Sequence, residues 1–168
     1  MNKHIIEQAK KIIFANEDLK KSLEYMFEEK NKKLPEGWGS DFDNWLDFMV
    51  RDVAENIPEP VTPERIFTAM QIQAIGEHFA IVAADTLIEK PNIHRVEINC
   101  YVADGVVNSS VRIEGESHED VLNCSEWVKE LFHKNGYDAE LFEDEEEQNE
   151  ITVNARIDFD IYVNMEVK

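Results

Sequence analysis

The sequence predicts an α+β protein: three or four N-terminal helices, then a ββαββ antiparallel sheet packed on helices. Three observations lead there. Apolar residues recur every three or four positions up to residue 90, and every second position in the runs 96–102, 137–141 and 151–167. The chain has 168 residues and is 43% hydrophobic, enough for one domain with a core. An Asp104-Gly105 pair between two alternating runs reads as a tight hairpin turn. The expected organisation is a single domain over 1–168, with a helical part at 1–90 and a sheet part at 91–168.

In the first segment Ile5, Ala9, Ile12, Leu19, Leu23 and Met26 mark one helical face. Asn16, followed by Glu17 and Asp18, reads as a break and a new N-cap, since a side-chain oxygen and early acids suit exposed N–H groups. Leu34 to Gly39 reads as a loop. Ser40, with Asp43 three residues on, reads as the start of another helix whose apolar face is Phe42, Trp45, Leu46, Met49, Val50 and Val53, ended by Pro58 and Pro60. Thr62-Pro63-Glu64 starts a further helix running to Lys90, apolar on most sides and therefore central, with a bend at Gly76.

Val96, Ile98, Cys100 and Val102 alternate with polar residues as a half-buried strand does. A two-residue loop at Asp104-Gly105 sets Val102 against Val107, Ile98 against Val111 and Val96 against Ile113. It also sets Glu97 against Arg112 and Arg95 against Glu114. A shift of one residue would destroy both sets of pairs. Ser117 caps a helix with the face Val121, Cys124, Val128, Leu131 and Phe132, closed by Asn135-Gly136. Tyr137, Ala139 and Leu141 suggest a third strand. Apolar residues at every odd position from Ile151 to Val167 suggest a final strand long enough to require a bend or bulge.

Composition excludes several functions. Thirty-six acids against 17 bases give a net charge of -19, which repels nucleic acid phosphates and anionic lipid. Residues 1–34 carry a net +2, residues 35–90 a net -8 and residues 91–168 a net -13. The apolar stretch around Ile66–Gly76 is interrupted by Glu77 and Asp85, so no membrane span is expected, and the N-terminus does not read as a signal peptide. Cys100 and Cys124, without a CxxC, suit a cytoplasmic setting. No phosphate-binding glycine loop, HExxH pair or cofactor motif occurs. Asp41, Asp43 and Asp47 are spaced like calcium ligands, but Trp45 and Leu46 stand where that loop needs an oxygen ligand and a glycine.

The acids themselves remain. Glu143, Asp144, Glu145, Glu146 and Glu147 form a run, Asp158 and Asp160 share one face of the last strand, and Asp41, Asp43, Asp47 and Asp52 lie along the second helical segment. Carboxylates held on a scaffold can offer a basic groove the charge pattern of a nucleic-acid backbone. The expectation is a non-enzymatic protein, without cofactor or metal, that occupies the channel of a basic nucleic-acid-binding protein such as a nuclease. Phage inhibitors of restriction or CRISPR nucleases offer an analogy of charge and size only. The alternative is an enzyme or small-ligand protein with Glu77, His78 and Asp85 facing inward between the central helix and the sheet. The long C-terminal strand or the N-terminal helix could also pair with its copy in a homodimer.

Overall fold

A computed structural model of the chain describes residues 3–32, 41–143 and 149–159. The element order is α1 (Lys3–Ala15), α2 (Glu17–Lys32), α3 (Phe42–Asn56), α4 (Pro63–Ile88), β1 (Ile93–Ala103), β2 (Val106–Gly115), α5 (His118–Lys134), β3 (Asp138–Glu143) and β4 (Glu150–Asp158). The protein is α+β, with helices preceding a four-stranded antiparallel sheet of spatial order β1-β2-β4-β3. The chain divides into two compact units. The first comprises described residues within 1–74, 102–106 and Phe159; the second comprises those within 75–101 and 107–158. This division falls inside α4.

In the first unit, Asn16 accepts the Leu19 N–H at 2.9 Å and separates α1 from α2, as its cap chemistry requires. The buried face of α1 is Ile6, Ala9 and Ile13, so Ile5 and Ile12 are half-buried rather than central. Leu19, Leu23 and Met26 are buried on α2, and Leu46, Met49, Val50, Val53 and Ala54 on α3. Phe27, Phe42 and Trp45 pack edge-on and tilted against one another, with centroids 5.5 to 5.9 Å apart. The N-cap of α3 is Asp41, which accepts the Asn44 N–H at 2.8 Å; Ser40 lies outside the described residues. Thr62 Oγ1 accepts the Arg65 N–H at 3.2 Å and caps α4.

α4 is continuous from Pro63 to Ile88, through Gly76. By length and composition it is apolar enough to cross a bilayer, with a mean hydropathy of 1.2 over its best window, contrary to the expectation from its interrupting charges. Sixty-one per cent of that window is buried within the protein, the pattern of a core helix.

The hairpin turn has positive φ at both Asp104 (51°) and Gly105 (76°), the geometry that matches the twist of paired strands. Arg112 pairs with Glu97 at 3.5 Å, Arg95 with Glu114 at 4.0 Å, and Cys100 Sγ lies 3.1 Å from Ser109 Oγ. All three contacts belong to the register set by a two-residue loop. Gly105, whose N–H donates to Asn56 O and whose carbonyl accepts the Phe159 N–H, belongs to the first unit.

In the second unit, Ser117 caps α5, its hydroxyl oxygen accepting the Asp120 N–H at 3.2 Å, and Gly136 (φ 86°) follows the C-cap. α5 packs on β3 and β4. β3 pairs antiparallel with β4, Asp138 opposite Arg156 and Glu143 opposite Ile151. Since β2 and β3 each run antiparallel to β4, the β2–α5–β3 connection is a parallel crossover with β4 between its strands. β4 ends at Asp158, and the remainder of the expected long strand lies outside the described residues. Among the described residues, β4 lies between β2 and β3.

Candidate functional site

The acids named from sequence have different local roles. Asp41 is the cap of α3, its second oxygen accepting from Asn44 Nδ2 at 3.1 Å. Asp47 accepts from Arg51 Nε at 2.7 Å and from Lys10 Nζ at 3.5 Å, and the Arg51 hydrogen bond leads the causes that hold its pKa below the usual carboxylate value. Asp43 is exposed on the first turn of α3. Glu143 is exposed at the end of β3 and 2.8 Å from His118 Nε2. Asp158 ends β4. The β3–β4 register sets Glu143 opposite Ile151, seven residues and about 23 Å from Asp158 by strand rise, with opposite side-chain parity. Asp144, Glu145, Glu146, Glu147 and Asp160 lie outside the described residues.

The outer face of the sheet is a mixed ladder rather than bare carboxylate. Arg95 pairs with Glu97 and Glu114, and Arg112 with Glu97 and Glu150. Hydrogen bonding to Glu150, ahead of the nearby carboxylate charges, raises the Arg112 pKa. Cross-strand neighbours of opposite sign offset one another, so this surface offers little net field.

A more coherent negative surface lies on α5 and was missed in the sequence. Glu119, Glu126 and Glu130, separated by seven and four residues, fall on one helical stripe opposite the buried Val121, Val128 and Phe132. All three are exposed, and no cation among the described residues pairs with them. Trp127 sits beside them, 41% exposed. The signal was available as the complement of the apolar face of this helix. The second unit as a whole has 19 acids and six bases, a net of -13, against -6 in the first.

The alternative site does not assemble as expected. Glu77 is buried at 2% exposure, whereas His78 and Asp85 are exposed, because neighbouring helical residues point about 100° apart. Ser109 Oγ donates to Gly76 O at 3.1 Å, and the Tyr137 ring lies against Gly76, where an added Cβ would come within 2.9 Å of Cζ. Packing therefore occupies the space between the second half of α4 and the sheet at this row. A cavity of about 300 Å³ lies elsewhere, between the Lys90–Ile93 turn and Asp120, Asn123 and Cys124 of α5. Burial pushes the Cys124 thiol pKa up, against the opposing charge of Lys90, so the thiol is a poor nucleophile. Among the described residues no cluster of three or more His, Cys, Asp or Glu side chains could hold a metal.

Comparisons with family models, with curated proteins and with solved structures each find no match to this chain.

Proposed function

We propose that this is a non-enzymatic acidic binding protein that occupies the basic nucleic-acid-binding channel of a partner, as a mimic and inhibitor of nucleic-acid binding. The observation that carries the reading is the set of exposed, unpaired carboxylates at Glu119, Glu126 and Glu130 beside the half-exposed Trp127, within a unit of net charge -13. Unpaired carboxylates on a rigid helix lose no existing ion pair when they meet arginines and lysines, and they steer encounter over a Debye length. A tryptophan among them supplies the apolar anchor that charge alone lacks. The partner class is a nuclease or other nucleic-acid-binding protein, and the setting is cytoplasmic, with neither nucleic acid nor membrane contacted directly. Inhibition of restriction or CRISPR nucleases by phage proteins remains the nearest functional analogy, drawn from charge and size.

The test is displacement of labelled duplex from a panel of basic nucleic-acid-binding proteins, read by fluorescence anisotropy across a salt series. Displacement by the wild type at low salt, weakening with salt and reduced at least tenfold by the joint change Glu119→Gln, Glu126→Gln and Glu130→Gln, is the expected result. Failure to displace, or displacement insensitive to both salt and substitution, overturns the reading.

A further inference from the structure

The cavity beside α5 lies wholly within the second unit. One wall is the turn from α4 into β1, Lys90 to Ile93; the other is the first two turns of α5. Backbone hydrogen bonds fix both. The Ile93 N–H donates to Lys90 O at 3.1 Å, the Glu116 N–H to Asn92 O at 2.9 Å, and the Val121 N–H to Ser117 O at 3.2 Å. Gly115 lets the two walls approach, since a Cβ there would stand 2.7 Å from Asn92 O and 2.9 Å from Val121 Cγ2. The space is set by backbone and exists before anything enters it, as in most ligand sites.

The lining divides by chemistry. Ile93 and Cys124 are buried and make an apolar floor. Lys90 and Asn92 stand on one wall, Asp120 and Asn123 on the other. Asp120 and Asn123 are three residues apart on α5 and so share a face. Among the described residues, the side chains of Lys90, Asn92 and Asn123 make no hydrogen bond or ion pair. The Asp120 carboxylate accepts from Ser117 Oγ alone, through Oδ2 at 2.8 Å. A cation and an anion therefore face one cavity without pairing with each other. Both charges reach the Cys124 thiol, Lys90 lowering its pKa and Asp120 raising it, behind the larger effect of burial.

Size and charge narrow the occupant. Ligand pockets start at about 300 Å³, and this cavity, at about 300 Å³, is at that lower end. At about 30 Å³ for each water-sized group it takes about ten non-hydrogen atoms, too few for a nucleotide. A simple anion would meet Asp120 and the field of a unit carrying -13; a simple amine would meet Lys90. A zwitterion avoids both penalties, because it has no net charge and sets each of its charged groups beside the complementary one.

We infer that this cavity binds a free aliphatic α-amino acid, its carboxylate held by Lys90 and Asn92, its ammonium by Asp120 and Asn123, and its side chain laid on Ile93 and Cys124. The site uses none of Glu119, Glu126, Glu130 or Trp127, so it stands or falls independently of the proposed function.

The test is titration of the full, isotopically labelled chain with L-leucine, followed by amide chemical shifts. Concentrations up to about 10 mM reach any Kd in the millimolar range or below. The expected result is a saturable shift centred on Asn92, Ile93, Asn123 and Cys124. Leucinamide lacks the carboxylate, N-acetyl-leucine the ammonium and glycine the apolar side chain, and each should bind at least about fivefold more weakly. Lys90→Gln and Asp120→Asn, checked for folding by circular dichroism, should each weaken leucine binding by a similar factor. Absence of a saturable shift with leucine overturns the inference, as do shifts centred elsewhere. Equal binding of leucinamide or N-acetyl-leucine overturns it by showing that one charged group suffices, and these two arms need no variant. Leucine binding unchanged in both folded variants overturns it as well.

Discussion

Gly76→Ala sets two known effects against each other at one position. Replacing a helical glycine by alanine gains about 1 kcal/mol in helix propensity. At Gly76 the new Cβ would fall well inside contact of the Tyr137 hydroxyl oxygen, 2.9 Å from Cζ and 3.3 Å from Cε1. Tyr137 cannot easily retreat, since it is 3% exposed and set edge-on to Phe132 with ring centroids 5.6 Å apart. Overpacking a rigid core position costs about 1–3 kcal/mol, and a clash with a trapped ring belongs near the top of that range. The net is a destabilisation of about 2 kcal/mol, or a urea midpoint lowered by about 1 M if m is about 2 kcal/mol/M. The assay is urea unfolding followed by circular dichroism, completed as a double-mutant cycle with Tyr137→Phe. Removing the hydroxyl should recover about 1 kcal/mol of the Gly76→Ala penalty as coupling. A Gly76→Ala variant stabilised by the full propensity gain in both backgrounds would refute the close approach.

Asp47→Asn should lower stability by about 0.5–1 kcal/mol at neutral pH, a modest figure because the carboxylate is 32% exposed. Its folded pKa lies below the ordinary carboxylate value of 3.8, so the contribution is full above that value and disappears as pH falls through the lowered folded pKa. Urea curves of both proteins at neutral and strongly acid pH should therefore converge in acid. Gly105→Ala should destabilise by roughly 1–2 kcal/mol by thermal unfolding, because φ is +76° and the new Cβ would meet Pro58 Cγ at 3.1 Å. In the native protein, iodoacetamide should label Cys124 slowly, with labelling rising only above the ordinary thiol pKa, since burial holds its thiol protonated. Peptide mapping after timed quenching reads this out, and rapid labelling at neutral pH would contradict it.

Signals confined to a few neighbouring residues were the legible ones. Asn16, Thr62, Ser117 and Asp104-Gly105 each act through one side chain or one pair of dihedrals, and each sits where the sequence put it. The pairing of Glu97 with Arg112 was legible because a short loop ties register to sequence distance. The face of α1 was misjudged by one residue because Ile5-Ile6 and Ile12-Ile13 are doublets, and periodicity cannot choose within a doublet. Strand order was not legible, because α5 is long enough to carry the chain past one position as readily as to the next. The pairing of Arg112 with Glu150 depends on that order and was hidden with it. At the candidate surface, the excess of acid could be counted from the residues. Which carboxylates already hold a partner could not be counted, since Asp47 reaches Lys10 as well as the nearby Arg51, and Glu143 meets His118, far away in sequence.

The crossover between β2 and β3 has a consequence for how the sheet comes into being. β2 and β3 have no direct partnership, and what joins them is β4, which is synthesised after both. Until Glu150–Asp158 leaves the ribosome, a hairpin and a lone strand wait on either side of a gap, with α5 lacking part of the surface it rests on. The last described strand is thus the keystone of its unit: shortening the chain ahead of Glu150 removes the middle of the sheet rather than its margin, and the expected product is an aggregation-prone chain in place of a trimmed domain.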